Sequence, residues 1–237
     1  MYRDVTSKIS LQACYDEICR TLPPITGVAN GAMVLDDTLF ENMSLQSWTK
    51  VLDPKVKGTQ HLDQLFHNTP LDFFILFSSI TGVVGNRGQS NYIAANMYMT
   101  SLAHQRKQRG VAVSVIDISS LVGIGYVEAS EKFDAEYFTN IGYTNISEQD
   151  LHQLFAEAIL AGNPNTKQST EIVTGFAPSY VDAVAKAQYR YDPKFSHFII
   201  ERPDTRQQAT GPSTIQVKAG LLEAETTEQV EEVLKGK

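Results

Sequence analysis

Hydrophobic residues recur with two different spacings along the chain, and these spacings predict alternating helices and strands. Apolar residues at steps of three and four, as on the buried face of a helix, occur over residues 10–22, 54–66, 89–108 and 151–159. Short apolar runs of strand length occur over residues 25–29, 71–78, 111–116 and 171–174. Helices that alternate with buried strands are typical of an α/β fold with a parallel sheet.

Capping and turn residues predict where some of these elements begin and end. The second helix is expected to begin at Pro54 with Asp53 as its cap, because a proline in the first turn loses no helical hydrogen bond. After about Gln188 prolines and polar residues predominate, so residues 188–215 are predicted to form a linker. Apolar residues return within 216–237, which are either the start of another helical unit or a frayed tail.

The composition indicates a globular protein and excludes several functional classes. The 237 residues are 42% hydrophobic and carry a net charge of −7, so no general electrostatic attraction to nucleic acid or to an anionic membrane is expected. The apolar runs are far shorter than the roughly 20 residues that cross a bilayer, and no apolar signal region follows the N-terminus. The sequence therefore predicts a cytoplasmic protein.

Metal binding is not indicated by the cysteines or the histidines. The two cysteines, Cys14 and Cys19, have no histidine nearby at a ligand spacing, and the five histidines of the chain are scattered. We therefore predict no metal site.

Four polar residues are candidates for chemistry around the end of the strand at 71–78. Ser79 follows the strand at the carboxyl edge where parallel sheets bind ligands, and Tyr92 and Asn96 share one face of the next helix. Lys55 on the preceding helix is a candidate cation that would favour the Tyr92 phenolate. Spacing alone favours structural roles instead: a strand-ending serine, a packed tyrosine, a surface lysine and an asparagine bonded to the backbone.

Several segments, in order and spacing, closely resemble the ketoreductase domain of polyketide synthases. They are Pro54-Lys55-Val56-Lys57-Gly58, Phe77-Ser78-Ser79-Ile80-Thr81-Gly82 and Gly88-Gln89-Ser90-Asn91-Tyr92-Ile93-Ala94-Ala95-Asn96. Two more look like the fungal highly reducing branch, which includes hybrids with nonribosomal peptide synthetases: Leu22-Pro23-Pro24-Ile25 and Gly31-Ala32-Met33-Val34-Leu35. The resemblance implies a Rossmann-like short-chain dehydrogenase fold over residues 1–187.

The resemblance also implies an activity and a role for each candidate residue. Tyr92 would donate a proton to a ketone as NADPH delivers hydride, and Ser79 would hydrogen-bond the ketone oxygen. Lys55 would lower the pKa of Tyr92, and Asn96 would support the proton relay; polyketide ketoreductases characteristically exchange the lysine and asparagine positions of the wider superfamily. The substrate would be a β-ketoacyl chain on an acyl carrier protein within a synthase that contains other polyketide synthase domains.

Further positions match the family's cofactor and substrate contacts. By resemblance, Asp4 and Val5 would contact the adenine of NADPH, and Asn30, Gly31 and Ala32 would form the wall of the cofactor site.

The triplet Leu35-Asp36-Asp37 matches a motif that guides the acyl chain in bacterial relatives of the B type. The structural alternative is that Asp36 or Asp37 caps the turn or helix that follows. The two interpretations are left open by the sequence.

The resemblance implies that the first βαβ part of the fold, with its glycine-rich turn, is missing from these residues. The pattern Gly-x-Gly-x-x-Gly does not occur in the 237 residues. We therefore expect an N-terminally truncated ketoreductase, residues 216–237 resembling the entry to an acyl carrier protein domain. The alternative is a non-catalytic remnant or docking fragment of such a synthase.

Overall fold

The computed structural model describes residues 4–125, 138–139, 142–180 and 187–201, with Thr226 and Gln229 beyond them. Its helices are α1 Lys8–Thr21, α2 Leu45–Leu65, α3 Thr81–Val84, α4 Ser90–Gln108 and α5 Glu148–Ala161. Its strands are β1 Gly27–Asn30, β2 Phe73–Ser79, β3 Ser114–Ile118, β4 Glu171–Val173, β5 Ser179–Tyr180 and β6 Ile199–Ile200. Short 3₁₀ helices occupy Phe40–Asn42, Gln188–Tyr191 and Pro193–Phe198.

Strands β1 to β4 form one parallel sheet in chain order. Ala29, Ile75 and Ser114 lie side by side in its register, and Val115 pairs with Glu171. Helices α2, α4 and α5 make the three connections between consecutive strands. The predicted parallel α/β architecture is confirmed, and the carboxyl ends of the strands lie along one edge of the sheet.

Both faces of this sheet are covered, which explains the continuous apolar runs in β2 and β3. Alternate residues of a strand point to opposite faces. Phe74 and Leu76 pack with Met99 and other residues of α2 and α4 on one face, whereas Ile75 packs with Ala158 of α5 on the other. Among the described helices, none is both long enough and apolar enough to cross a membrane.

Helix α2 begins nine residues earlier than the sequence predicted. It starts at Leu45 with the Ser44 hydroxyl accepting from the Ser47 backbone N–H at 3.0 Å, and Pro54 lies inside the helix. The prediction was wrong because the extra turns are mostly polar and solvent-facing, so they carry little periodicity. Their position is supported by the full burial of Val51.

Gly58 allows the N-terminal segment to pack closely on α2. A Cβ atom built at Gly58 would lie 2.9 Å from a methyl carbon of Val5, closer than side chains normally approach. The glycine therefore serves the contact between these two segments.

A buried ion pair joins α2 to α4 at the end of the sheet opposite to Ser79. Asp63 accepts hydrogen bonds from Arg106 and, at 3.1 Å, from Arg109. Arg106 also donates to the Ala112 carbonyl at 3.2 Å, and its guanidinium lies 3.9 Å from the centre of the Phe74 ring. The Arg106 side chain is only 1% exposed, so its charge depends on this partner.

The first part of the predicted linker at 188–215 is folded. Tyr189 and Phe195 are buried and pack around Phe176, with ring centroids 5.1 Å and 5.0 Å from it. The prediction was wrong for residues 188–200 because it weighed the prolines and missed the aromatic residues that make this cluster. The rest of the predicted linker and nearly all of 216–237 lie outside the described residues.

Candidate active site

Lys55 and Tyr92 face each other from α2 and α4. The Lys55 ammonium lies 5.4 Å from the centre of the Tyr92 ring and donates a hydrogen bond of 2.7 Å to the Phe77 carbonyl of β2. Lys55 is 2% exposed, which rules out the surface lysine that the sequence had left open. The structure thus brings a buried cation to the tyrosine that the sequence singled out.

Burial changes the acid strength of Lys55. Desolvation of the ammonium lowers the pKa of Lys55 to about 7, and the negative charge of Asp117 acts in the opposite direction. Lys55 therefore changes charge close to neutral pH, unlike an exposed lysine.

Tyr92 is also buried, and its hydroxyl donates to the Met33 sulfur at 3.3 Å. Burial raises the pKa of Tyr92, and the nearby Asn96 amide and Ser79 hydroxyl lower it without outweighing burial. The expected lowering of this pKa by Lys55 is thus not what the resting site shows. The physical reason is that desolvation of the phenolate outweighs the hydrogen bonds that favour it.

Ser79 and Asn96 complete the group at the carboxyl end of β2. The Ser79 hydroxyl oxygen accepts from the Thr81 backbone N–H at 3.3 Å and from its hydroxyl at 3.1 Å. The Asn96 amide donates to the Tyr92 carbonyl at 3.0 Å, as in the structural alternative, but its Oδ1 is a buried acceptor without a partner among the described residues. A buried acceptor of this kind suits a functional site.

Asn30 ends β1, and Gly31 and Ala32 follow it, at the edge where parallel sheets bind ligands. The buried Asn30 side chain donates to the Thr59 hydroxyl at 2.9 Å and accepts from the Ala32 backbone N–H at 3.1 Å. Asn30 therefore shapes the turn through contacts within the protein, and Gly31 is left exposed.

Asp4 and Val5 lie just before α1. The exposed Asp4 carboxylate accepts from the backbone N–H and the hydroxyl of Thr6 at 2.9 Å and 2.8 Å, and these bonds lower the pKa of Asp4. Val5 is half-buried against Gly58.

The Leu35-Asp36-Asp37 triplet is tied to the start of α4. The Asn91 amide donates to the Asp36 carbonyl at 3.2 Å, and the Gln89 amide donates to the Asp37 carboxylate at 2.9 Å. The short 3₁₀ helix that follows has no side-chain cap, so the capping alternative is wrong for it. The triplet therefore contacts Asn91, the residue that precedes Tyr92.

Asp117 is a buried acid that the sequence analysis missed. It lies in β3, is 1% exposed and pairs in register with Ser78. Burial raises the pKa of Asp117 to about 7, an effect opposed by the Ser78 hydroxyl and by Lys55 and reinforced by Glu171. An acidic residue within an apolar strand would have indicated it from the sequence. It was overlooked because the predicted strand ended at Ile116, one residue before Asp117.

Comparison with known proteins agrees with this geometry. A family model of the KR domain matches residues 1–123, and the chain belongs to the ketoreductase family of polyketide synthases. The resemblance seen in the motifs is thereby confirmed.

The curated relatives are fungal. The chain is 57% identical over 233 residues to the hybrid PKS-NRPS synthetase prlS of Fungal sp. (strain NRRL 50135), covering 98% of this chain and 6% of that protein. It is 56% identical over 234 residues to the hybrid PKS-NRPS synthetase mpsA of Macrophomina phaseolina, covering 99% of this chain and 6% of that protein. The chain thus spans about 6% of the length of these relatives.

Solved ketoreductases share the fold. PlmKR1, the ketoreductase from the first module of phoslactomycin biosynthesis in Streptomyces sp. HK803, superposes with a TM-score of 0.69 at 25% identity, over 82% of this chain and 43% of that one. A structure of A-type ketoreductases from a modular polyketide synthase gives a TM-score of 0.62 at 26% identity, over 74% of this chain and 35% of that one. The Rossmann-like short-chain dehydrogenase fold is confirmed.

Proposed function

We propose that the chain carries the catalytic residues of an NADPH-dependent ketoreductase of secondary metabolism. Its reaction reduces a β-ketoacyl chain, held on an acyl carrier protein, to the β-hydroxyacyl chain. The observation that carries this proposal is the buried Lys55 ammonium at 5.4 Å from the Tyr92 ring, beside Ser79 and Asn96.

Each of the four side chains has a chemical task in this proposal. Tyr92 donates its phenolic proton to the ketone oxygen, and the Ser79 hydroxyl hydrogen-bonds the same oxygen. The charged form of Lys55 stabilises the phenolate that remains, against the burial that disfavours it. Asn96 holds the first turns of α4 through the Tyr92 carbonyl and offers its free Oδ1 as an acceptor in the proton relay.

The residues present fit the reactive part of a nicotinamide cofactor. When bound, the cofactor supplies the hydride, and ketoreductases of this family generally use NADH or NADPH. The exposed Gly31 follows the end of β1, and the buried Asn96 acceptor of α4 lies near Gly82, just after β2, at the edge where a dinucleotide binds in such sheets. We propose NADPH, with Asn30, Gly31 and Ala32 as its wall and Asp4 and Val5 near its adenine.

The partners proposed are an acyl carrier protein and other polyketide synthase domains. Support comes from the relatives prlS and mpsA, which are hybrid synthetases far longer than the matched segment.

The experiment compares this chain with a hybrid ketoreductase. The hybrid joins the mpsA segment adjoining the matched residues to the N-terminus of this chain, and we expect that segment to supply a glycine-rich turn whose backbone N–H groups bind the cofactor pyrophosphate. We expect it to reduce a β-ketoacyl N-acetylcysteamine thioester with consumption of NADPH. A correctly folded hybrid without this activity would contradict the proposal and favour a non-catalytic remnant or docking fragment.

The 237 residues by themselves are expected to bind NADPH weakly. They contain no glycine-rich turn of the Gly-x-Gly-x-x-Gly pattern, so the pyrophosphate lacks its main site. Calorimetric titration of the chain and of the hybrid ketoreductase measures the difference. Equally tight binding by both would show that the pyrophosphate is held by residues of this chain.

The Leu35-Asp36-Asp37 triplet predicts the configuration of the product. Its contacts with Gln89 and Asn91 hold it beside Tyr92, where it can admit the acyl chain from one side only. We therefore expect the D-configured (3R) alcohol, and chiral chromatography of the product of the hybrid ketoreductase measures it. A predominantly L-configured alcohol would show that the triplet does not guide the chain as in bacterial B-type enzymes.

A further inference from the structure

Asp117 lies in the same buried layer as the catalytic side chains. Its neighbours two and four residues earlier in the chain, Val115 and Val113, pack in the core between the sheet and helices α2 and α4, so the Asp117 side chain points to that face. Its register partner is Ser78, the residue after Phe77, whose carbonyl receives the Lys55 hydrogen bond. The strand thus places a carboxyl group next to the anchor of Lys55.

The charges around Asp117 come from three elements. Lys55 of α2 interacts electrostatically with Asp117, and its ammonium lies 5.4 Å from the centre of the Tyr92 ring of α4. Glu171 approaches from β4, where it accepts from the Thr100 hydroxyl at 3.3 Å. Asp117 therefore interacts with both a buried ammonium and a second, half-buried carboxylate.

A buried carboxylate and a buried ammonium are each costly to charge alone, and each favours the charge of the other. Burial and Glu171 favour the protonated form of Asp117, whereas the Ser78 hydroxyl and the positive charge of Lys55 favour its ionised form. The dependence is mutual, and Lys55 keeps its proton at neutral pH more easily when Asp117 is ionised.

We propose that Asp117 is a positioning residue of the ketoreductase, whose carboxylate keeps the Lys55 ammonium charged beside Tyr92. Its place in the reaction rests on the proposed function, whereas its effect on Lys55 does not. Glu171 opposes this effect, because a second negative charge next to Asp117 favours protonation of Asp117. The two carboxylates therefore act on Lys55 with opposite signs.

The first test measures Lys55 directly, without catalysis. NMR titration of the full chain with isotope-labelled lysine follows the Lys55 signal, which is assigned by its loss in Lys55→Met. We expect a midpoint of about 7 in the unaltered chain. Asp117→Asn should lower it by roughly one pH unit, and Glu171→Gln, a change at a half-buried position, should raise it.

The matched control is Asp63→Asn, which removes another buried acid from α2 itself. Asp63 is held by Arg106 and Arg109 rather than by Lys55, so this change should destabilise the fold and leave the Lys55 midpoint in place. An unchanged Lys55 midpoint in both Asp117→Asn and Glu171→Gln would overturn the proposal. So would the same shift in Asp63→Asn.

The second test is the pH profile of the hybrid ketoreductase. Reduction should decline as pH rises through the Lys55 pKa, because the neutral amine no longer stabilises the Tyr92 phenolate. A midpoint lowered by roughly one unit reduces the charged fraction of Lys55 at pH 7 from about a half to about a tenth, so kcat should fall about fivefold in Asp117→Asn with KM little changed. Glu171→Gln should move the decline to higher pH.

The two tests separate this inference from the proposed function. An inactive hybrid together with a shifted Lys55 midpoint would reject ketoreduction and keep Asp117 as the counter-charge of Lys55. An active hybrid whose alkaline decline is identical in all three forms would keep ketoreduction and overturn the role of Asp117.

Discussion

Replacing Tyr92 by phenylalanine is expected to reduce turnover by the hybrid ketoreductase about 10²- to 10⁴-fold, the usual contribution of a positioned proton donor. The ring of Tyr92 is buried in the core, and phenylalanine keeps its volume. The hydroxyl donates to the Met33 sulfur, a weak acceptor, so its loss should affect the fold little. Steady-state kinetics with the thioester substrate measures the loss.

The matched control for this change is Tyr98→Phe. Tyr98 lies on the same helix and accepts a hydrogen bond of 2.7 Å from the Gln60 amide, so the control also removes one phenolic hydroxyl. Its turnover should stay near that of the unaltered enzyme. Equal turnover in Tyr92→Phe and Tyr98→Phe would remove Tyr92 from the mechanism.

Asp63→Asn is expected to lower the free energy of unfolding by about 3–5 kcal/mol, as when one partner of a buried ion pair is removed. The change leaves the guanidinium of Arg106, which is 1% exposed, without its counter-charge. Urea denaturation of the full chain measures the effect.

The control and the pH dependence identify the cause of this loss. Asp53→Asn removes the same charge from the same helix, but Asp53 pairs with Lys57 at the surface, so about 0.5 kcal/mol or less is expected. Burial raises the pKa of Asp63, and the hydrogen bonds from Arg109 and Arg106 outweigh it and hold the pKa below 3.8. The stability contributed by ionised Asp63 is thus fully present above pH 3.8 and is lost as pH falls through the lower pKa of Asp63 in the folded protein. Below that pKa the unfolding free energies of the unaltered chain and Asp63→Asn should become equal. If the difference in unfolding free energy between these two proteins stayed constant down to that pH, a packing defect would be its cause instead.

Elements buried on both faces were the most predictable from sequence. The strand predicted at 71–78 is found at Phe73–Ser79, and the helix predicted at 89–108 is found at Ser90–Gln108. These elements contact other apolar residues along most of their length, so most of their positions contribute to the hydrophobic pattern. The first turns of α2 touch the core mainly through Val51 and were missed for the opposite reason.

The candidate site was likewise predictable from sequence only in part. Motifs in the sequence named Lys55, Ser79, Tyr92 and Asn96, and the structure brings Lys55 beside Tyr92. Motifs did not show that Met33 contacts the Tyr92 hydroxyl or that Asp117 interacts electrostatically with Lys55. The members of these two pairs are 59 and 62 positions apart in the chain, and no local pattern records them.

The sequence by itself determined the class of fold, the family and the identity of the residues proposed for chemistry, because these depend on residue types and on spacings within single elements. Only the tertiary structure decided the state of those residues. Burying Lys55, Tyr92 and Asp117 withdraws water from all three, and desolvation lowers the pKa of Lys55 and raises those of Tyr92 and Asp117. How much water a side chain loses depends on the helices and strands that close over it, and these come from distant parts of the chain.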